Sequence, residues 1–144
     1  MYRRVINHCD RCAILFIIDC SLSMKEITRY GYTEMPKIDA AAFIVNFMIE
    51  ELLARATRYA NVRDYYDIGV IGYSGNEAFS LLDNSDYERV FMNTPRIADT
   101  MPQPRGVEIN VRDYDGTIHT ETFNTHFWAD PTASGASPLY DALV

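Results

Sequence analysis

Apolar residues recur along this chain with different periods, and each period predicts an element. Residues 13–19, AILFIID, are apolar at every position up to the closing Asp. An unbroken run of that length predicts a strand buried on both faces. The polar stretch KEITRYGYTE follows and predicts a loop punctuated by Gly31, with Thr33 or Glu34 leading a helix and Pro36 near its first turn. From Lys37 to about Tyr59 the period turns helical. Ile38, Ala41, Ala42, Val45, Met48, Ile49 and Leu52 make one apolar stripe, with Glu50, Glu51, Arg55 and Arg58 mostly off it. Residues 66–74, YDIGVIGYS, predict a second buried strand, and residues 77–82 a third, joined by a tight Gly75-Asn76 turn.

Strand, helix and strand in that order predict a right-handed βαβ unit with parallel strands, and the hairpin adds an antiparallel edge. Further on, residues 86–93 predict a short helix, and Pro95, Pro102 and Pro104 an irregular stretch. Residues 107–123 alternate around Asp115-Gly116, which predicts a β-hairpin with polar outer faces. Residues 130–138 read as a loop, with Pro138 in the first turn of a closing helix. No internal repeat or low-complexity segment breaks this order.

Composition changes the picture little. A chain of 144 residues, 48% hydrophobic and 23% charged, fits one domain with a real core. A net charge of −7 argues against binding to nucleic-acid phosphates, which calls for a basic face. No apolar run approaches the roughly 18 residues of a membrane span. MYRRVINHCDRC has no apolar core before residue 13, so no leader is expected, and cytoplasmic placement is. An odd count of three cysteines fits a reducing compartment.

Chemistry concentrates at the end of the first strand. In an open α/β sheet, ligands bind beyond the carboxyl ends of the strands, where Asp19 stands. Ser21 and Ser23 follow on alternate positions, so the carboxylate and both hydroxyls can converge. Hard oxygen donors suit Mg²⁺, Mn²⁺ or Ca²⁺. One carboxylate holds such a cation weakly, so waters, another loop and an outside acid are needed.

An apolar strand followed by Asp-x-Ser-x-Ser resembles the metal-ion-dependent adhesion site of von Willebrand factor A domains. IGVIGYSGNEAFSLL is similar to that family's second strand and third-strand hairpin. SGASPLYDAL is similar to its loop and helix start, usually Gly-Gly-Thr-Pro-Leu. The resemblance implies a Rossmann-like α/β fold, with a central, mostly parallel sheet flanked by helices and one antiparallel edge strand. It implies Asp19, Ser21, Ser23 and Ser137 as metal ligands, with Ser137 standing for the family's threonine. It also implies that an Asp or Glu of a protein partner completes the metal's coordination. Bacterial cytosolic members of the family, to which the short N-terminus is similar, act as adaptors.

Several departures accompany the resemblance, among them a loop before the first helix that is longer than usual. Leu22 replaces a glycine that eases the turn. Residues 83–129 look like an insertion, which either recognises a partner or covers the sheet. The family's final strands have no counterpart before Val144. Residues 1–144 therefore read as the N-terminal portion of a single, truncated domain, whose first strand would expose an apolar edge to an oligomeric or complementing chain.

Other motifs carry less. His8, Cys9 and Cys12 form H-C-x-x-C, but no second cysteine pair follows to close a zinc site. Gly72-Tyr73-Ser74-Gly75-Asn76 lacks the last glycine of a nucleophile elbow, and a hairpin follows it. His119 and His126 read as solvated surface. Tyr30, Tyr32 and Tyr73 could line a rim, with packing favoured for Tyr73. The expected function is metal-dependent protein binding without catalysis. The alternatives are a metal-assisted phosphoester hydrolase, with Asp130 its only nearby second acid, and a structural domain with a vestigial metal site.

Overall fold

The computed structural model describes residues 11–82 and 90–134. Its largest sheet has four strands: β1 (Cys12–Asp19), β6 (Tyr66–Ser74), β7 (Glu77–Ser80) and β8 (Phe91–Asn93). Strand β6 lies at the centre. On one side it pairs in parallel with β1, from Cys12 opposite Tyr66 to Asp19 opposite Tyr73. On the other side β8 pairs antiparallel with its first half and β7 with its second. Three two-stranded antiparallel ribbons complete the described strands: β2 (Ile27–Tyr30) with β3 (Thr33–Pro36), β4 (Thr57–Arg58) with β5 (Asn61–Val62), and β9 (Pro104–Arg112) with β10 (Ile118–His126).

This architecture corrects the expected Rossmann-like fold. Among the described residues one strand pair is parallel and the rest are antiparallel, so the sheet is not mostly parallel. Nor, among the described residues, do helices flank it on both faces. Helix α1 (Lys37–Ala56) and the short α2 (Thr94–Asp99) share one core. Ile18, Val45, Ile49, Leu53, Ile68, Val70, Met92 and Ile97 interlock there. The physical reason for the correction lies in β1. Its burial alternates, with Ile14, Phe16 and Ile18 turned to the core, while Leu15 and Ile17 are 43% and 63% exposed on the opposite face. An unbroken apolar run was thus no sign of two covered faces. The strand–helix–strand unit β1–α1–β6 does have parallel strands.

Local differences have local causes. The polar stretch after the first strand forms the β2–β3 ribbon, because Ile27, Thr28, Tyr30 and Thr33 favour strands and Gly31 turns the chain at φ 62°. The stretch 91–93 is strand, and the short helix starts one residue later. Asn93 caps it by accepting from the Arg96 N–H at 3.0 Å, and Pro95 sits in its first turn. Residues 86–89 of the helix expected there lie outside the described residues. Helix α1 stops at Ala56, where β4 and β5 form a tight turn through Tyr59 and Ala60, both at positive φ.

The stripe of α1 is also rotated from the expected one. Met48 is 45% exposed, whereas Asn46 is fully buried. The Asn46 side-chain amide donates to the Ala129 carbonyl at 2.7 Å, and its oxygen accepts the Ala129 N–H at 3.0 Å. One side chain thereby holds the segment after β10 onto α1. The β9–β10 ribbon turns at Gly116, φ 87°, where Asp115 accepts from the Thr117 N–H. It leans on α1 through His126 and Glu50, and on the β2–β3 ribbon, where Asn110 N–H donates to Thr33 Oγ1 at 2.7 Å.

Candidate metal centre

Asp19 is the last residue of β1, and the parallel register sets it directly opposite Tyr73. The chain leaves the sheet at Cys20, whose N–H still bonds the Tyr73 carbonyl at 2.9 Å. It then folds into a 3-10 turn over Leu22–Lys25, with Met24 N–H donating to the Ser21 carbonyl at 3.0 Å. That turn brings Ser21 and Ser23 back together. Their hydroxyl oxygens are 3.0 Å apart, and Asp19 Oδ1 accepts the Ser21 N–H at 2.8 Å. Leu22 meets no backbone strain in place of glycine, since Tyr59 and Ala60 are the non-glycine residues at positive φ among those described.

Of the four expected ligands, the structure pairs the hydroxyls of Ser21 and Ser23 and sets the Asp19 carboxylate on the Ser21 backbone N–H. Ser137, the fourth, lies outside the described residues. The segment leading to it is tied to the site at Ser134. Its N–H donates to the Cys20 carbonyl at 2.7 Å, and its carbonyl accepts from the Ser74 hydroxyl at the end of β6. Asn46 anchors the base of that segment at Ala129. Sequence reading missed Asn46 and Ser134; a lone Asn inside an apolar helical stripe was the available signal for the first.

The donor set fits a hard cation in one measurable respect. Neighbouring ligands of a Mg²⁺ octahedron, with bonds of about 2.1 Å, stand about 3 Å apart, which is the separation of the two hydroxyls. Ser21 is almost fully buried and Ser23 exposed, so the pair lies at the boundary between core and solvent. The charge of Asp19 is felt by its neighbours. Burial first, and Asp19 second, push the Cys20 thiol up from its ordinary value. Loss of water and then the same carboxylate push up the Tyr73 phenol. Cys20 thus stays a neutral thiol near neutral pH, a poor nucleophile and a poor soft-metal ligand. Gly72 makes room for it, since a Cβ there would stand 2.9 Å from Cys20 Sγ and 2.8 Å from Phe79.

Other candidates are placed elsewhere. Asp130 forms a two-pronged ion pair with Arg105 at 3.0 and 3.3 Å, and Arg105 stacks over Phe127 at 4.3 Å. These groups line a cleft between the β9–β10 ribbon and the start of α1, a cleft to which Asp19 does not contribute. His8 and Cys9 lie outside the described residues. Tyr30 packs edge-on against Phe43, with centroids 5.8 Å apart, while Tyr32 is exposed. The histidines are engaged and not simply solvated. His119 lies 2.9 Å from both Asp113 and Glu121. His126 bonds Glu50 at 2.9 Å and lies against Trp128. Among the described residues no three of His, Cys, Asp and Glu gather as a metal-binding group.

No protein-family model matches the chain, and no curated protein is similar to it. A solved structure of an uncharacterized membrane spanning protein from Vibrio fischeri is similar over 92% of this chain and 97% of that one, at 14% identity and a TM-score of 0.36. Among the described residues of this chain, no helix is long and apolar enough to cross a membrane. A likeness that loose assigns neither fold nor function, so the reading of this chain rests on its own residues.

Proposed function

We infer that this chain is a protein-binding module which holds a Mg²⁺-type cation at Asp19, Ser21 and Ser23, and through it engages an Asp or Glu of a partner. Mn²⁺ or Ca²⁺ could take the same place. The observation that carries this reading is the 3.0 Å pairing of the Ser21 and Ser23 hydroxyls beside a strand-end carboxylate. A single carboxylate leaves a divalent cation short of ligands and of negative charge, so a carboxylate from outside is its natural complement. Ser137 is a further ligand in this proposal; it follows, in sequence, Ser134, whose N–H bonds the Cys20 carbonyl. Tyr73, beside Asp19, supplies part of the rim against which the partner's acid would sit. Catalysis is no part of the proposal, because the one second acid considered, Asp130, is engaged by Arg105. A cytoplasmic setting belongs to it, supported by the free thiols Cys12 and Cys20.

One observation favours a second, purely structural reading. Asp19 Oδ1 already accepts the Ser21 N–H, a turn cap that needs no metal. Titration of Mn²⁺ followed by electron paramagnetic resonance separates the two. The wild type should quench the signal of free hydrated Mn²⁺, and a peptide bearing Glu should alter the bound spectrum. Asp19→Asn keeps an oxygen for the turn cap but loses the charge, and it should quench far less. Equal quenching by both proteins would refute the metal reading and leave the turn.

A further inference from the structure

At the end of the sheet away from Asp19, where β6 begins, α1 runs into the β4–β5 ribbon. The ribbon closes through a two-residue turn, Tyr59-Ala60, at φ 51° and 65°. Two positive φ values in succession make the turn that Asn-Gly ordinarily fills, so tyrosine and alanine hold it against their own preference. The turn leaves Tyr59 94% exposed at its tip. Backbone strain that sets a large aromatic ring out in solvent points to a contact made by that ring.

Tyr59 forms one wall of a cleft of about 590 Å³, lined also by Arg58, Val62, Arg63, Tyr65 and Pro95. Its one acid, Asp64, lies 3.2 Å from Arg11. Both cleft arginines are exposed and stand on fixed backbone. Arg58 Nη1 donates to the Arg55 and Thr57 carbonyls at 2.7 and 2.8 Å, capping the end of α1, and the guanidinium lies 5.8 Å from the centre of the Tyr65 ring. Those bonds engage Nη1, and the Nε–Nη2 edge is the fork that takes a carboxylate side-on. The Arg63 N–H donates to the Ala56 carbonyl at 2.8 Å, and its carbonyl accepts from the hydroxyl of the fully buried Thr94 at 2.5 Å. Residues 55–65 hold three arginines against Asp64 alone, a basic face on a chain of net charge −7.

We propose that this cleft docks an acidic segment of a partner protein, with carboxylates on Arg58 and Arg63 and an aromatic side chain against Tyr59. Tyrosine and arginine are the side chains that most often dominate the energy of a protein interface. Charge complementarity sets the partner's sign, and the concave cleft suits a chain segment. An anionic membrane would attract the same arginines, but the chain's net charge opposes it. The proposal does not rest on the metal reading.

The test is made on the full chain in metal-free buffer, so that the Asp19 centre plays no part. A fluorescein-labelled Glu-Glu-Pro-Phe-Glu-Glu peptide should raise its anisotropy on titration with wild type, and the same peptide with Gln for every Glu should not. Arg63→Ala keeps the backbone bonds, and Tyr59→Asn keeps the turn. Each should weaken binding by about tenfold or more with an unchanged circular dichroism spectrum. Asp19→Asn should bind as wild type does. No binding up to millimolar protein, equal binding of the Gln peptide, or full binding by both cleft variants would overturn the proposal. So would loss of binding in Asp19→Asn, or sedimentation with phosphatidylglycerol vesicles in place of peptide binding.

Discussion

Ser21 shows how much a spacing can tell and how much it leaves out. The Asp-x-Ser-x-Ser spacing was enough to expect convergence; the two hydroxyls do meet, while the Asp19 carboxylate bonds the Ser21 backbone N–H. What the spacing left out is the means, a 3-10 turn that folds Ser23 back onto Ser21 where alternation along an extended chain was expected. The histidines teach the reverse. Nothing in the sequence singled out His119: Glu121 stands two residues on along the same strand, and Asp113, its second partner, comes from just past the end of β9 across the ribbon. The bond to Glu121 leads, and the nearby charge of Asp113 adds, in holding His119 protonated to higher pH than usual. A folded-state pKa raised above the unfolded value of about 6.5 gives stability that is fully present below that pH. That stability is lost as pH rises through the folded value. His119 should therefore titrate above the unfolded reference by NMR, and His119→Gln should flatten the pH dependence of stability in that window. A titration at or below the reference would show that the pairing does not form in solution.

Among elements, α1 and the segment after β10 depend on one another through Asn46. Asparagine at a helical position within an apolar stripe looks like a weak point in the sequence. In the structure it is the fully buried anchor for Ala129, with both halves of its amide satisfied. Asn46→Ala strips partners from a buried N–H and carbonyl and should cost about 2–3 kcal/mol, beyond the loss of a single exchanged hydrogen bond. Denaturant unfolding should show a lowered midpoint at unchanged slope. A loss within about 0.5 kcal/mol, as for a surface change, would mean that the segment is held by other contacts. Element boundaries were readable where period and punctuation agreed, as in β6 and the Asp115-Gly116 turn. They were misread where one residue had two meanings. Pro95 was taken for a breaker, yet it stands in the first turn of α2, after the cap at Asn93.

At the scale of the whole molecule, the difference between expectation and structure reduces to what covers β1. An apolar residue in a sequence does not say whether a helix, a second chain or nothing lies over it. AILFIID was therefore equally compatible with a doubly covered central strand and with the edge position that β1 holds among the described residues. The parallel β1–β6 pair is local to the strand–helix–strand unit, whereas the antiparallel partners of β6 come from β7 and from β8, which the sequence reading had placed in a helix. The candidate site survives that correction because it needs only the end of β1, the turn after it and the segment held at Ser134.

The central claim is that this strand end holds a divalent cation, and thermal unfolding with and without millimolar Mg²⁺ tests it most directly, on wild type and on Asp19→Asn. A cation that binds only the folded chain must raise its melting temperature with occupancy. The account predicts a rise for the wild type and none for Asp19→Asn, whatever the two proteins' starting temperatures. A shift that is absent from both, or equal in both, would contradict it.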